Sequence, residues 1–188
     1  MNVFGKQMLT KITFFLMIFC CFASKSEALN WSEDQRLQID SVGNVVAIWQ
    51  SYDAINSVYI IQSSYYDAAL ATWSAISTIS DTAVSSFSPE FAMNTNGDSV
   101  AIWISDDYNG TLGIFASIRP AAGNFPGTAT LVSDSSDLAI LNDYRVVLND
   151  AGDIAISWTA FIDFTYTAVI RTAIGDISNT WAPVTLSN

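Results

Sequence analysis

A glycine followed six residues later by a tryptophan recurs three times along this chain, and that repeat constrains the fold more than any other feature. The pairs are Gly43 and Trp49, Gly97 and Trp103, and Gly152 and Trp158. The glycines stand 54 and 55 residues apart, and the tryptophans keep the same spacing. Chance similarity would not hold two markers in register. Between them lie Asn44-Val45-Val46-Ala47-Ile48, Asp98-Ser99-Val100-Ala101-Ile102 and Asp153-Ile154-Ala155-Ile156-Ser157. Self-similarity at this period marks one supersecondary unit used several times, each copy stabilised by stacking on the next.

The rest of each unit follows at matching offsets. An apolar segment precedes each glycine, at Leu37 to Asp40, Phe91 to Asn94 and Val146 to Asn149. A third segment follows each tryptophan, at Ile60 to Ser63, Ile114 to Ser117 and Val169 to Thr172. An aromatic then opens a fourth, at Trp73, Phe125 and Trp181, and the units close on Ser80-Asp81, Ser133-Asp134 and Ser187-Asn188. These segments are short, rich in Val, Ile, Thr, Tyr and Trp, and bounded by Gly, Asn, Asp and Ser, so they are expected to be strands. No window carries a helical apolar stripe. Asn94 to Gly97 and Asn149 to Gly152 read as tight hairpin turns in which glycine takes a positive φ. The second strand is apolar at nearly every position, which predicts cover on both faces.

Four antiparallel strands per unit of this size predict a β-propeller blade. The core Gly43-Asn44 through Trp49, repeated as Gly97-Asp98 through Trp103, resembles the Gly-Asn-x-Val-Ala-x-Trp core of exported, tandem-blade repeat proteins from chlamydia-like intracellular bacteria. The resemblance spans residues 37–188 and implies a fold, not an activity. The third copy departs from it, with Ser157 in place of an apolar residue. The expected architecture is all-β, with three tandem four-stranded antiparallel blade-like repeats over residues 35–81, 88–134 and 143–188. Three blades are too few for a closed propeller ring, so an open arc or incomplete ring is expected. Asn30-Trp31-Ser32 reads as a shortened remnant of a fourth strand.

Residues 1–28 read as a secretory leader. Lys6 and Lys11 precede an apolar run from Ile12 to Ala23, and Ser26-Glu27-Ala28 offers a small-x-small cleavage site. The expectation is an exported protein, in the periplasm, at the cell surface or outside the cell, whose mature domain spans residues 29–188. Cleavage after Ala28 removes both cysteines, Cys20 and Cys21, and all three lysines. Arg36, Arg119, Arg145 and Arg171 then remain as the cations, and the whole chain already carries a formal charge of −11. Such an acidic surface argues against nucleic acid and against an anionic membrane as partners.

Most catalytic chemistry lacks its parts. The chain has no histidine, and without a mature cysteine or lysine there is no serine–histidine or cysteine–histidine site, thiolate zinc site or Schiff base. No catalytic residue, cofactor or metal site is assigned. Carboxylates are the surviving enzymatic option, because propeller glycosidases use two or three acids at the ring centre. The candidates are Asp53, Asp106, Asp107 and Asp163 after the tryptophan strands. Their recurrence at equivalent places favours a turn role. Tyr52, Tyr59, Tyr65, Tyr66, Tyr108, Phe161, Phe164 and Tyr166 cluster near the same loops, where aromatics stack on sugars or grip a peptide; packing between blades is the structural alternative. Trp49, Trp103 and Trp158 are assigned to the core. The leading expectation is an exported, non-catalytic binding or interaction module. It would take a carbohydrate or protein ligand, or self-associate through exposed end blades. The alternatives are a glycosidase-like enzyme using loop carboxylates and the non-functional product of a truncated repeat gene.

Overall fold

Three antiparallel sheets follow one another along the chain in a computed structural model that describes residues 31–106, 111–121, 123–133, 139–161 and 167–186. The leader read in residues 1–28 lies outside the described residues. In the first sheet β1 (Ser32–Ile39), β2 (Val45–Asp53), β3 (Val58–Asp67) and β4 (Thr72–Trp73) are neighbours in that order, and β5 (Ser77–Thr78) also pairs with β3. The second repeats the order with β6 (Ser86–Met93), β7 (Ser99–Asp106), β8 (Leu112–Arg119) and β9 (Thr130–Leu131). The third does so with β10 (Ala139–Leu148), β11 (Asp153–Phe161), β12 (Ala168–Asp176) and β13 (Trp181–Thr185). The architecture is all-β and blade-like, and the sheets do not close into a ring.

The first hairpin of each blade turns on the repeated glycine, with φ of +97° at Gly43, +92° at Gly97 and +89° at Gly152. A side chain would strain this left-handed backbone. Around each glycine an Asp and an Asn bond across the turn. Asp40 accepts from the Asn44 side chain at 2.8 Å, Asn94 donates to Asp98 at 3.0 Å, and Asn149 donates to Asp153 at 2.8 Å. The two residue types change places between the first blade and the others.

Side chains from neighbouring blades pack in two layers. Val46, Ile48, Ile61 and Ile79 of the first blade meet Phe91, Ala101, Trp103 and Phe125 of the second. Val100, Ile102 and Ile104 of the second meet Tyr144, Ile154, Ile156 and Trp158 of the third. In both layers the tryptophan face of one blade docks on the Val/Ile face of the blade before it. Strand β7, covered by a layer on each face, is therefore buried almost throughout. Strand β2 is buried as deeply although these layers cover one of its faces, and β11, covered on one face, alternates buried with more exposed positions. Trp49, Trp103 and Trp158 are all buried, as expected of core residues.

Two local expectations change. Trp31 is not part of a remnant outer strand: its carbonyl accepts from the Tyr52 N–H at 3.0 Å, so it extends the β1 pairing. Phe125 precedes rather than opens the fourth strand of its blade, because its ring is drawn into the layer against Phe91, with centroids 6.5 Å apart.

Candidate functional site

The first strands β1, β6 and β10 lie side by side on the inner edge of the fan, and each carries an irregularity in its pairing with the next strand. Glu33 pairs with Gln50 and Arg36 with Ile48, leaving Asp34 and Gln35 opposite the single residue Trp49. Phe87 pairs with Ile104 and Glu90 with Ile102, leaving Ser88 and Pro89 opposite Trp103. The third blade shifts register between Ile140 and Tyr144. These are β-bulges, which bend a strand and re-aim its side chains. Pro89 suits such a site because it has no N–H to donate to a ladder. Asp34 and Ser88 sit in left-handed backbone, at φ of +54° and +52°, a conformation that costs non-glycine residues about 1–2 kcal/mol.

The bulges bring polar side chains of successive blades together. The Arg36 guanidinium donates to Glu90 Oε1 at 3.0 Å, and both residues are half-buried. This bond is the main reason the Arg36 pKa lies above its ordinary value. Gln50 bridges the same two blades, accepting from the Ser88 N–H at 2.9 Å and donating to Glu33 Oε1 at 2.9 Å. The buried Tyr144 hydroxyl donates to the Ser88 carbonyl. Burial, then the nearby charge of Glu90, pushes the Tyr144 phenol well up, so it stays a donor. Lower on the strand, Gln38 donates to the Phe91 carbonyl at 3.0 Å and accepts from the Met93 N–H at 2.7 Å. Two carboxylates on adjacent inner strands, Glu33 and Glu90, are thus each oriented by a partner. Asp34 and Asp143, both exposed, lie in the register shifts of β1 and β10.

The loop acids are placed differently. Asp53 is occupied by its own turn, accepting from the Ile55 N–H at 2.9 Å and the Asn56 side chain at 2.8 Å. The Asn56 bond, more than any other, lowers the Asp53 pKa. Asp106 ends β7 and is half-buried; Asp107 and Asp163 lie outside the described residues, as do Tyr108, Phe164 and Tyr166. Tyr52 packs on Tyr59 at 5.3 Å, and Tyr59 on Phe87 of the next blade at 5.4 Å. Tyr66 packs on Trp73 at 5.4 Å, Tyr65 lies beneath the Arg119 guanidinium at 4.2 Å, and Phe161 is half-buried at the end of β11. Among the described residues no group of three or more His, Cys, Asp or Glu side chains is placed to hold a metal ion. Sequence reasoning missed Glu33, Asp34, Arg36 and Glu90. A trace was present, since Asp34, Ser88 and Asp143 each stand fifteen residues before a signature tryptophan and three before the apolar segment that precedes its glycine.

These features define a propeller-type protein with a polar, strained inner edge. No family model and no curated protein matches the chain. Among solved structures it is similar to the Hadza microbial sialidase Hz136, with a TM-score of 0.59 and 10% identity over 81% of this chain and 37% of that one. It is similar to a glycoside hydrolase of the GH130 mannoside phosphorylase family that targets β-1,2 mannosidic linkages in Candida mannan. There the TM-score is 0.53, with 10% identity over 87% of this chain and 55% of that one. An endo-arabinase from Bacteroides thetaiotaomicron matches with a TM-score of 0.47 and 17% identity, over 77% and 57%. The chain spans between about a third and three-fifths of the lengths of these structures.

Proposed function

We propose that this protein is carbohydrate-active, a glycosidase-like propeller module whose working acids lie on the inner strands. The observation that carries the reading is the pair Glu33 and Glu90, set on adjacent inner strands beside two strained bulges and each oriented by a neighbour. Glycoside hydrolysis needs two carboxylates flanking the scissile bond, one giving a proton to the leaving oxygen and one attacking or activating water. Glu90, ion-paired with Arg36, suits the anionic role, and exposed Glu33 faces incoming substrate as the acid. The loop acid Asp53 suits neither, because its oxygens are bonded within its own turn. The sialidase and the mannoside-linkage hydrolase support the reading through a shared scaffold, and their names suggest neutral and acidic glycans as the first substrates to try. Kinship with the exported tandem-blade proteins of chlamydia-like bacteria, and export of this chain, belong to the same proposal.

The test is a screen of the full chain against aryl glycosides and mannan, arabinan and sialyl oligosaccharides. Glu33→Gln and Glu90→Gln should each lower turnover by about a hundredfold or more with the unfolding temperature held. Hydrolysis that survives both changes would sink the reading. A second reading, a non-catalytic module that assembles through an end blade, is favoured by the open face of the third sheet, where Val147, Ile170 and Ile174 are 63%, 42% and 50% exposed.

A further inference from the structure

Away from the inner strands, a cleft of about 440 Å³ opens between the outer halves of the first two blades. Its floor is the half-buried Phe115, with the core residue Trp103, only 1% exposed, directly across the β7–β8 pairing. Its walls include Asp81 and Thr78 from the first blade and its exit, with Asp106 and Thr128 from the second. The volume lies in the lower part of the range of small-molecule sites and admits a mono- or disaccharide.

The lining chemistry narrows the occupant. Among the described residues no lysine, arginine or histidine lines the cleft, so none of them would neutralise a phosphate, a sulfate or an acidic sugar. Hydroxyls and carboxylates above an aromatic floor suit a ring with an apolar face and a rim of hydroxyl groups. The wall is held in place before any ligand arrives. Asp81 accepts from the Ala83 N–H at 2.7 Å, and the adjacent Ser80 hydroxyl accepts from the Ile61 N–H at 2.8 Å. The floor also breaks the repeat. The residue across the ladder from the signature tryptophan is Gln62 in the first blade, Phe115 in the second and Arg171 in the third. Gln62 is engaged by its own tryptophan, accepting from the Trp49 Nε1–H at 3.1 Å, whereas Phe115 lines the cleft.

We infer that this cleft binds a neutral mono- or disaccharide, at a site separate from the inner-strand carboxylates and independent of any hydrolysis there. The test is calorimetric titration of the full chain with the methyl glycosides of mannose, galactose and arabinose. At least one should bind. Phe115→Leu, which keeps apolar volume and removes the ring, should weaken it about tenfold. Asp106→Asn and Thr128→Ala should weaken it severalfold, and Thr128, exposed on a loop, can be changed with little risk to folding. Glu90→Gln should leave the cleft affinity as it is, which separates this site from the inner-strand one. The inference is overturned by no binding of any of the three glycosides, or by affinity unchanged in folded Phe115→Leu, Asp106→Asn and Thr128→Ala. It is equally overturned if Glu90→Gln abolishes binding, or if tetramethylammonium binds more tightly than every neutral glycoside, which would mark a cation site.

Discussion

At the scale of single residues, the three hairpin turns solve one problem with two spellings. The first blade reads Asp40-Ser41-Val42-Gly43-Asn44, while the others read Asn94 to Asp98 and Asn149 to Asp153. The leading residue accepts backbone N–H groups of the turn in each case: Asp40 from Val42 and Asn44, Asn94 from Asn96 and Asp98, and Asn149 from Asp153. The trailing residue also bonds outward, Asn44 accepting from the Ala68 N–H and Asp98 from the Ala121 N–H, each at 3.0 Å. Every one of these jobs is done by a side-chain oxygen, which Asp and Asn both possess. What the turn needs in addition is one amide donor facing one carboxylate. Asn44→Asp should therefore set two carboxylates against each other and cost about 1–3 kcal/mol. Adding Asp40→Asn should recover most of that loss by recreating the arrangement of the other blades. Urea unfolding of both single variants and the double variant measures the coupling, and purely additive losses would contradict it.

At the scale of elements, the same turns join blade to blade. Ser41 donates its hydroxyl to the Thr95 carbonyl at 2.7 Å, and Thr95 donates its N–H and hydroxyl to Asp150 at 3.0 and 2.8 Å. Asn96 adds a bond to the Asp150 carbonyl at 3.1 Å. The Thr95 N–H, then its hydroxyl, lowers the Asp150 pKa below its ordinary value. A carboxylate whose pKa falls on folding stabilises the protein above its unfolded value, and that contribution is lost as pH falls through the folded one. The second-to-third blade link should therefore loosen in acid, below a pH of about 4. Asp150→Asn keeps an oxygen for Thr95 but cannot be protonated there. Its unfolding free energy should fall less steeply than that of the parent between about pH 5 and pH 2. Parallel acid titrations followed by circular dichroism would show it; identical slopes would place the acid sensitivity elsewhere. The hairpin turns thus act as interblade joints, while the bulges further along the inner strands place Glu33 and Glu90.

Across the whole molecule, stacking has a direction. Each interior face is covered by the tryptophan side of the following blade, but the corresponding face of the third sheet meets no further described sheet. Its composition has adjusted only in part. Ala155, Ser157 and Thr159 stand on β11 where the second blade has Val100, Ile102 and Ile104, yet Val147 and Ile174 flank Ala155 on the same face and Ile170 lies opposite Thr159. Arg145, opposite Ser157, adds a charge to that face. A surface this mixed suits reversible rather than obligate association. Light scattering on the full chain should show mass rising with concentration, and Val147→Lys combined with Ile174→Lys should hold it monomeric. A parent chain that stays monomeric throughout would remove the assembly reading while leaving the carbohydrate reading intact.

The sequence by itself determined the three blade repeats, the first three strands of each, the glycine turns and the burial of Trp49, Trp103 and Trp158. These follow from local preference and from a period that can be counted. The inner-strand site was not legible in the same way. Arg36 and Glu90 are 54 residues apart, and they meet only because bulges opposite Trp49 and Trp103 re-aim one strand toward the next. The loop acids stood out in the sequence because they recur, and Asp53 recurs for the sake of its turn. Pairing register and blade stacking are non-local, so the tertiary structure alone decided which acids approach one another, that a cleft opens beside Phe115, and which face of the last sheet stays uncovered.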